Sequence, residues 1–186
     1  MDFELSEDQV LLQESVTRFV ADNYSFEQRR KLVDTDQGYS DKQWSQFAEL
    51  GWLGMPFAED VGGYGGTPVE TMVVLEEFGK GLVAEPYIST IVLGGGALVH
   101  GGTAAQQQEL IPQVAEGNLK LALGFAERQS RYNLADVQTK AEKSGVDYVL
   151  SGMKSVVFGA PTANKFIVSA RTGGAARDEG GISLFL

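Results

Sequence analysis

The sequence predicts an α+β protein: an all-α helical domain over residues 1–118, then an antiparallel β-domain over 119–186. Three observations predict it. Apolar residues recur at helical spacing up to about residue 117, and four helix-capping signatures fall in that stretch. After "AEGN", Ala115 to Asn118, the apolar period drops to two.

Each helix has its own start signal, an acceptor side chain followed three residues later by Glu or Gln: Ser6 with Gln9, Ser40 with Gln43, Thr67 with Glu70, Thr103 with Gln106. Pro68 follows Thr67 at the one helical position where a missing N–H costs nothing. The first helix repeats through Leu12, Val16, Phe19 and Val20, with Glu14, Thr17 and Arg18 outward. The second carries Trp44, Phe47 and Ala48 and stops near Gly51. The third, Val69 to Phe78, is apolar on most sides apart from Glu70, Glu76 and Glu77, and is expected to lie deep. "ISTIVLGGGALVHGG" reads as a buried helix whose glycines allow close backbone approach. The helix from Thr103 meets Pro112, where a kink or break is expected.

The strands follow. Leu119 to Phe125 forms one. Val137, Thr139 and Ala141 alternate with Gln138, Lys140 and Glu142 as a half-exposed second. "KSGVD" turns into a hairpin partner, "YVLSG", and "KFIVSAR" and "GISLFL" follow, separated by the loose "TGGAARDEGG". The last strand ends at Leu186 with no closing element, so the β-domain reads as incomplete.

Composition bounds the function. With 186 residues, 43% of them apolar, the chain has material for a real core. A net charge of −10 and a pI near 4.6 oppose binding to nucleic acid or to an anionic membrane, so any anionic cofactor needs local Lys and Arg. The absence of cysteine excludes disulfides, thiolate metal sites and cysteine nucleophiles. The acidic start "MDFELSEDQ" lacks a signal-peptide pattern, and no apolar run approaches the ~20 residues that span a bilayer. The expectation is a soluble, cytoplasmic protein.

Several motifs favour plain readings. "VGGYGG", Val61 to Gly66, lacks the Lys-Ser/Thr of a phosphate loop and follows no strand, so it reads as a turn needing positive φ before Thr67. His100 is the single histidine and anchors no metal site without partners. Glu76 and Glu77, adjacent and so about 100° apart on a helix, form no carboxylate pair facing one site. No serine lies in a nucleophile elbow. "LALGFAERQSRYN", residues 121–133, differs: a strand opens into an irregular polar stretch. That frees backbone N–H and C=O groups for the polar edge of a planar ligand, or makes an ordinary excursion between strands.

The order of landmarks carries a resemblance. "FELSEDQVLLQESVTRFV", then "WSQFAELGWLGMPFAEDVGGYGGTPVETMVVLEEFGKG", then "QQQELIPQVAEGNLKLALGFAE", then "LADVQTKAEKSGVDYVLSGMKSVVFGAPTANKFIVSART" resembles the amino-terminal portion of the flavin-dependent acyl-CoA dehydrogenases along the whole chain. The resemblance implies FAD as cofactor and α,β-dehydrogenation of an acyl-CoA thioester, as in fatty-acid β-oxidation. It further implies a homo- or hetero-tetramer and electron-transfer flavoprotein as acceptor. The family's base lies on a carboxy-terminal four-helix domain that this sequence lacks, so no catalytic residue is assigned.

By the same resemblance Leu123, Gly124, Phe125, Ala126, Val156, Val157 and Phe158 are the flavin-facing positions, and Tyr132 a substrate-facing one. Ala126, Glu127, Arg128 and Gln129 stand where the family usually has Thr-Glu-Pro-Gly, so a hydroxyl is lost. Tyr132 replaces a Ser, and Val156, Val157 and Phe158 replace Trp-Ile-Thr. Phe158 has no donor for the ring's reactive nitrogen, and Val156 offers less flat surface than an indole. FAD binding by these residues alone is expected to be weak. A structural subunit of a heteromeric dehydrogenase, and a related flavin monooxygenase or nitroalkane oxidase, remain alternatives.

Overall fold

The structure, a computed structural model, describes residues 4–186; the first three residues of the acidic start lie outside it. In chain order the elements are α1 (Glu7–Asn23), α2 (Phe26–Val33), α3 (Asp41–Glu49), α4 (Pro68–Gly81), a π-helical stretch Ile88–Gly95 running into α5 (Gly96–Gly101), and α6 (Ala104–Ala115). Then come β1 (Leu121–Gly124), β2 (Lys140–Ser144), β3 (Asp147–Ser151), β4 (Lys165–Arg171) and β5 (Ile182–Phe185). They form two compact units. One holds residues up to Tyr87 together with Thr103–Leu119; the other holds Ile88–Gly102 together with Lys120–Leu186.

In the helical unit the start signals work as read. Ser6, Thr67 and Thr103 each close a capping box. Ser40 caps α3 through Gln43 N–H, but its own N–H donates to the buried Glu85 (3.1 Å) rather than to Gln43. A further box, Ser25 with Gln28, starts α2, a short polar helix with no buried residue. The core is aromatic: Phe47 stacks on Phe78 with ring centroids 4.7 Å apart, and Trp52 and Tyr87 meet Phe78 edge-on. Tyr24 donates to Glu85. Burial raises the Glu85 carboxyl above its ordinary range, against the lowering effect of the Tyr24 and Ser40 donors.

Two helical expectations change. α6 continues through Pro112 without a break. The proline lies in the third turn, where the carbonyl its ring frees belongs to the exposed Gln108. α4 is only half sunk: Val73, Val74, Glu77 and Phe78 are buried, while Val69 and Met72 face solvent. Its Glu76 and Glu77 both reach the exposed Lys80, at 3.2 and 2.6 Å. In "VGGYGG", Gly62 and Gly65 have φ of 85° and 66°. A Cβ on Gly63 would lie 2.1 Å from the Phe57 carbonyl oxygen, so close backbone approach also demands glycine there.

In the other unit the sheet is mixed, where the sequence pattern suggested antiparallel pairing throughout. β1 runs parallel to β4 (Leu121↔Lys165 to Gly124↔Val168), and β2 touches β4 in parallel at Lys140↔Arg171. β2–β3 and β4–β5 are antiparallel. A parallel pair needs a long crossover, and the whole excursion and hairpin between Gly124 and Lys165 supply one. The Ile88–Gly101 helix packs against β1. A Cβ on Gly94 would lie 2.4 Å from Leu121 Cβ, and Thr90 Oγ1 accepts from Leu121 N–H (3.2 Å). This segment is π-wound in its first part and partly exposed at Ile88 and Val92, so it is less buried than its composition suggests. No described helix is long and apolar enough to cross a membrane.

Candidate functional site

The irregular segment after β1 is a built loop. Strand pairing ends at Gly124 and resumes at Lys140. Val137, Thr139 and Ala141 are buried in alternation, as the pattern requires, yet regular strand begins only at Lys140. Val137 N–H donates to the Ala176 carbonyl (2.9 Å), the Thr139 carbonyl accepts the Arg171 N–H of β4 (2.8 Å), and Glu127 takes the N–H groups of Gln138 and Thr139. Its carboxylate accepts from Gln138 N–H (2.8 Å) and Thr139 N–H (3.0 Å), the groups that ladder pairing would otherwise have used. It also accepts from Gln129 Nε2 (2.8 Å) and from Lys154 Nζ (2.7 Å).

Glu127 and Lys154 are both buried, with side chains 3% and 8% exposed. Burial alone would raise the Glu127 carboxyl. The Lys154 ammonium, the Gln129 amide and the Thr139 N–H outweigh it and hold the carboxyl at about 2. Lys154 also donates to Ser169 on β4 (3.0 Å). Ser130 closes the turn: its hydroxyl donates to the Glu127 carbonyl (2.8 Å) and accepts the Glu127 N–H (3.1 Å). Arg131 sits at φ 50°, a left-handed conformation rare for a side chain of its size.

Farther along, Arg171 is buried and donates to six main-chain carbonyls, those of Ala135, Val137, Gly173, Ala176, Asp178 and Gly180. It ties the "TGGAARDEGG" loop to the end of the excursion.

The expected ligand-facing residues fall on two walls. Leu123, Gly124, Phe125 and Ala126 leave β1 on one wall; Val156, Val157 and Phe158 leave the β2–β3 hairpin on the other. Ser155 N–H donates to the Ala126 carbonyl (2.9 Å), which joins the walls directly. Val156 and Phe158 are exposed, at 75% and 59%. Val156 has φ 53°, a strained state for a β-branched residue. Gly159, at φ 73°, turns the chain where a Cβ would strike Ser89 Oγ at 2.2 Å. Tyr132 stands apart, 99% exposed on the excursion. His100 is exposed near the end of α5. Among the described residues no group of His, Asp and Glu is arranged to hold a metal ion.

Residues 6–118 match the family model described as acyl-CoA dehydrogenase, N-terminal domain, and residues 122–186 match its middle domain. The chain belongs to the acyl-CoA dehydrogenase family. It is 31% identical over 175 residues to probable acyl-CoA dehydrogenase YngJ of Bacillus subtilis (strain 168), covering 93% of this chain and 46% of that protein. It is 29% identical over 172 residues to mitochondrial isovaleryl-CoA dehydrogenase of Pongo abelii, covering 90% and 40%. Among solved structures it resembles the ChsE4-ChsE5 complex from Mycobacterium tuberculosis, with TM-score 0.84 and 27% identity over 100% of this chain and 48% of that one. The chain thus spans less than half the length of these relatives.

Acyl-CoA dehydrogenases are FAD-dependent, and the two walls can be tested for that group. The N–H groups of Ala126 and Phe158 donate to no protein acceptor among the described residues, leaving two main-chain donors for a polar ring edge. Val156 and Phe158 leave apolar surface uncovered for a ring face. A flavin held here would be held through main-chain and apolar contact. No side-chain hydroxyl is present at Ala126 or Phe158 to add to it. Lys154 and Ser169, which hold the loop, were missed by sequence reading, and Gln129 was noted there only as a changed position. Glu127 directly after an apolar strand was a signal, but its lysine lies 27 residues away on another turn.

Proposed function

We propose that this chain is a subunit of an FAD-dependent acyl-CoA dehydrogenase, acting in α,β-dehydrogenation of an acyl-CoA thioester. The carrying observation is the pair of walls joined through Ser155 and Ala126, with unpaired N–H groups and exposed apolar side chains facing out. FAD, when bound, supplies the acceptor for the hydride that leaves the β-carbon of the thioester. Leu123, Gly124, Phe125 and Ala126 would hold the ring's edge through main chain, and Val156, Val157 and Phe158 would exclude water from its face. Tyr132, on the excursion, would lie toward the thioester. Glu127 is no base: a carboxyl held at about 2 and accepting four hydrogen bonds takes no proton at neutral pH. The α-proton must go to a carboxylate outside these walls. Electron-transfer flavoprotein would accept the electrons.

The test is anaerobic addition of acyl-CoA to the flavin-loaded protein. Bleaching of the yellow colour by thioester alone supports the reading; bleaching that needs a reduced nicotinamide and no thioester points to a monooxygenase.

A second reading is favoured by the side chains at Ala126, Val156 and Phe158, which give the ring neither hydroxyl nor flat aromatic plate. In it the chain is the supporting subunit of a heteromeric tetramer whose partner carries the intact site. The ChsE4-ChsE5 complex and the Tcur3481-Tcur3483 steroid ACAD, 27% identical with TM-score 0.83 in its G363A variant, are two-component assemblies of similar fold.

A further inference from the structure

The two walls belong to separate chain segments. Among the described residues a direct main-chain bond joins them, from Ser155 N–H to the Ala126 carbonyl (2.9 Å). Beneath that bond lies the Glu127–Lys154 pair. Glu127 directly follows Ala126, and Lys154 stands two residues before Val156. The four donors to Glu127 come from both ends of the excursion, Gln129 near its start and Gln138 with Thr139 at its close, and from the hairpin exit. Lys154 carries the connection on to Ser169, in the strand beside β1.

We propose that Glu127 and Lys154 are positioning residues, which fix the separation of the two walls and the path of the excursion that carries Tyr132. This rests on the reading of the walls as a flavin and thioester site. A buried ion pair is a poor source of stability, since desolvating both charges offsets most of their attraction. What it supplies is direction. An apolar pair of equal volume would fill the space but leave the buried Thr139 N–H, and the Gln138 N–H beside it, without their acceptor. Those residues would then be drawn into ladder pairing, as their alternation favours, and the excursion would shift. Neither residue is among the expected ligand-facing positions; both act through their chain neighbours Ala126 and Val156–Phe158.

The experiment uses the protein co-expressed with whatever subunits it assembles with. Glu127→Gln and Lys154→Met are compared with wild type, and Lys154→Arg serves as the conservative variant. Two quantities are read: amide hydrogen exchange at Gln138 and Thr139, and the Kd for FAD from quenching of flavin fluorescence. The expected result is faster exchange at both amides, unchanged exchange in α1 and α4, and FAD binding weakened by roughly tenfold or more, since a small misplacement of a supporting group is enough for that. Lys154→Arg should recover most of the affinity. FAD affinity within twofold of wild type despite faster exchange would show the pair to be structural only and overturn the proposal. If Glu127→Gln does not fold, Gln129→Ala removes one of the four donors from an exposed side chain, and a threefold loss of affinity with faster Gln138 exchange is then expected; an unchanged affinity overturns the proposal equally. Wild-type assembly that binds no FAD removes the functional reading and this role together, whereas binding that Glu127→Gln retains removes this role alone.

Discussion

Phe158 and Glu127 show how much a single residue decides. Phe158 places an exposed ring where a hydroxyl donor would serve a flavin, so Phe158→Thr should tighten FAD binding by about 1 kcal/mol, roughly fivefold, measured by fluorescence titration. Unchanged or weaker binding would show that the second wall does not face the ring. Glu127 makes an acid-stability prediction. Its carboxyl ionises at about 2 in the fold against an ordinary 4.5, so the folded state favours the charged form. Its contribution is complete above 4.5 and is lost as pH falls from there toward 2. Glu127→Gln should therefore flatten the fall in thermal midpoint between these values, and an unaltered slope would assign that fall to other carboxylates. Glu127 was legible in the sequence as an acid after an apolar strand. Lys154 was not, because nothing local marks a partner brought in by tertiary folding.

The helices are local objects, and the sequence described them well. A Ser or Thr with Glu or Gln three residues later satisfies N–H groups that a helix leaves open whatever surrounds it, so the starts of α1, α4 and α6 could be read directly. Removing one such cap by Thr103→Ala should cost about 1 kcal/mol, seen as a lower urea midpoint with an unchanged denaturant slope. At Ser40 the same local signal was present, but buried Glu85 takes the Ser40 N–H and the box stays open. The second expected strand forms only from Lys140 onward: its alternation survives as burial before that, while the Gln138 and Thr139 N–H groups go to Glu127. Strand pairing is a contest among acceptors, and a buried carboxylate wins it over a neighbouring strand.

For the whole molecule, the open matter is what completes the site. If the chain is a supporting subunit, protein purified alone should be colourless, and co-expression with its partner should give stoichiometric flavin absorbance near 450 nm, on the order of one FAD per completed site. Tight flavin on the chain alone would sink the heteromeric reading and leave the self-sufficient one. The exposed side chains of Val156, Phe158 and Tyr132 agree with surfaces that another body covers.

By itself the sequence determined the α+β class, the starts of α1, α3, α4 and α6 and the hairpin around Gly145, because capping, turn chemistry and apolar period act over a few residues and need no knowledge of distant ones; the order of its landmarks carried the resemblance to the family. Only the tertiary structure decided the parallel pairing of β1 with β4, the grouping of Ile88–Gly102 with the sheet, and the Glu127–Lys154 connection. Those features depend on which donors and acceptors meet across tens of residues. Burial makes each unmet polar group costly, so the fold as a whole, rather than any local pattern, assigns their partners.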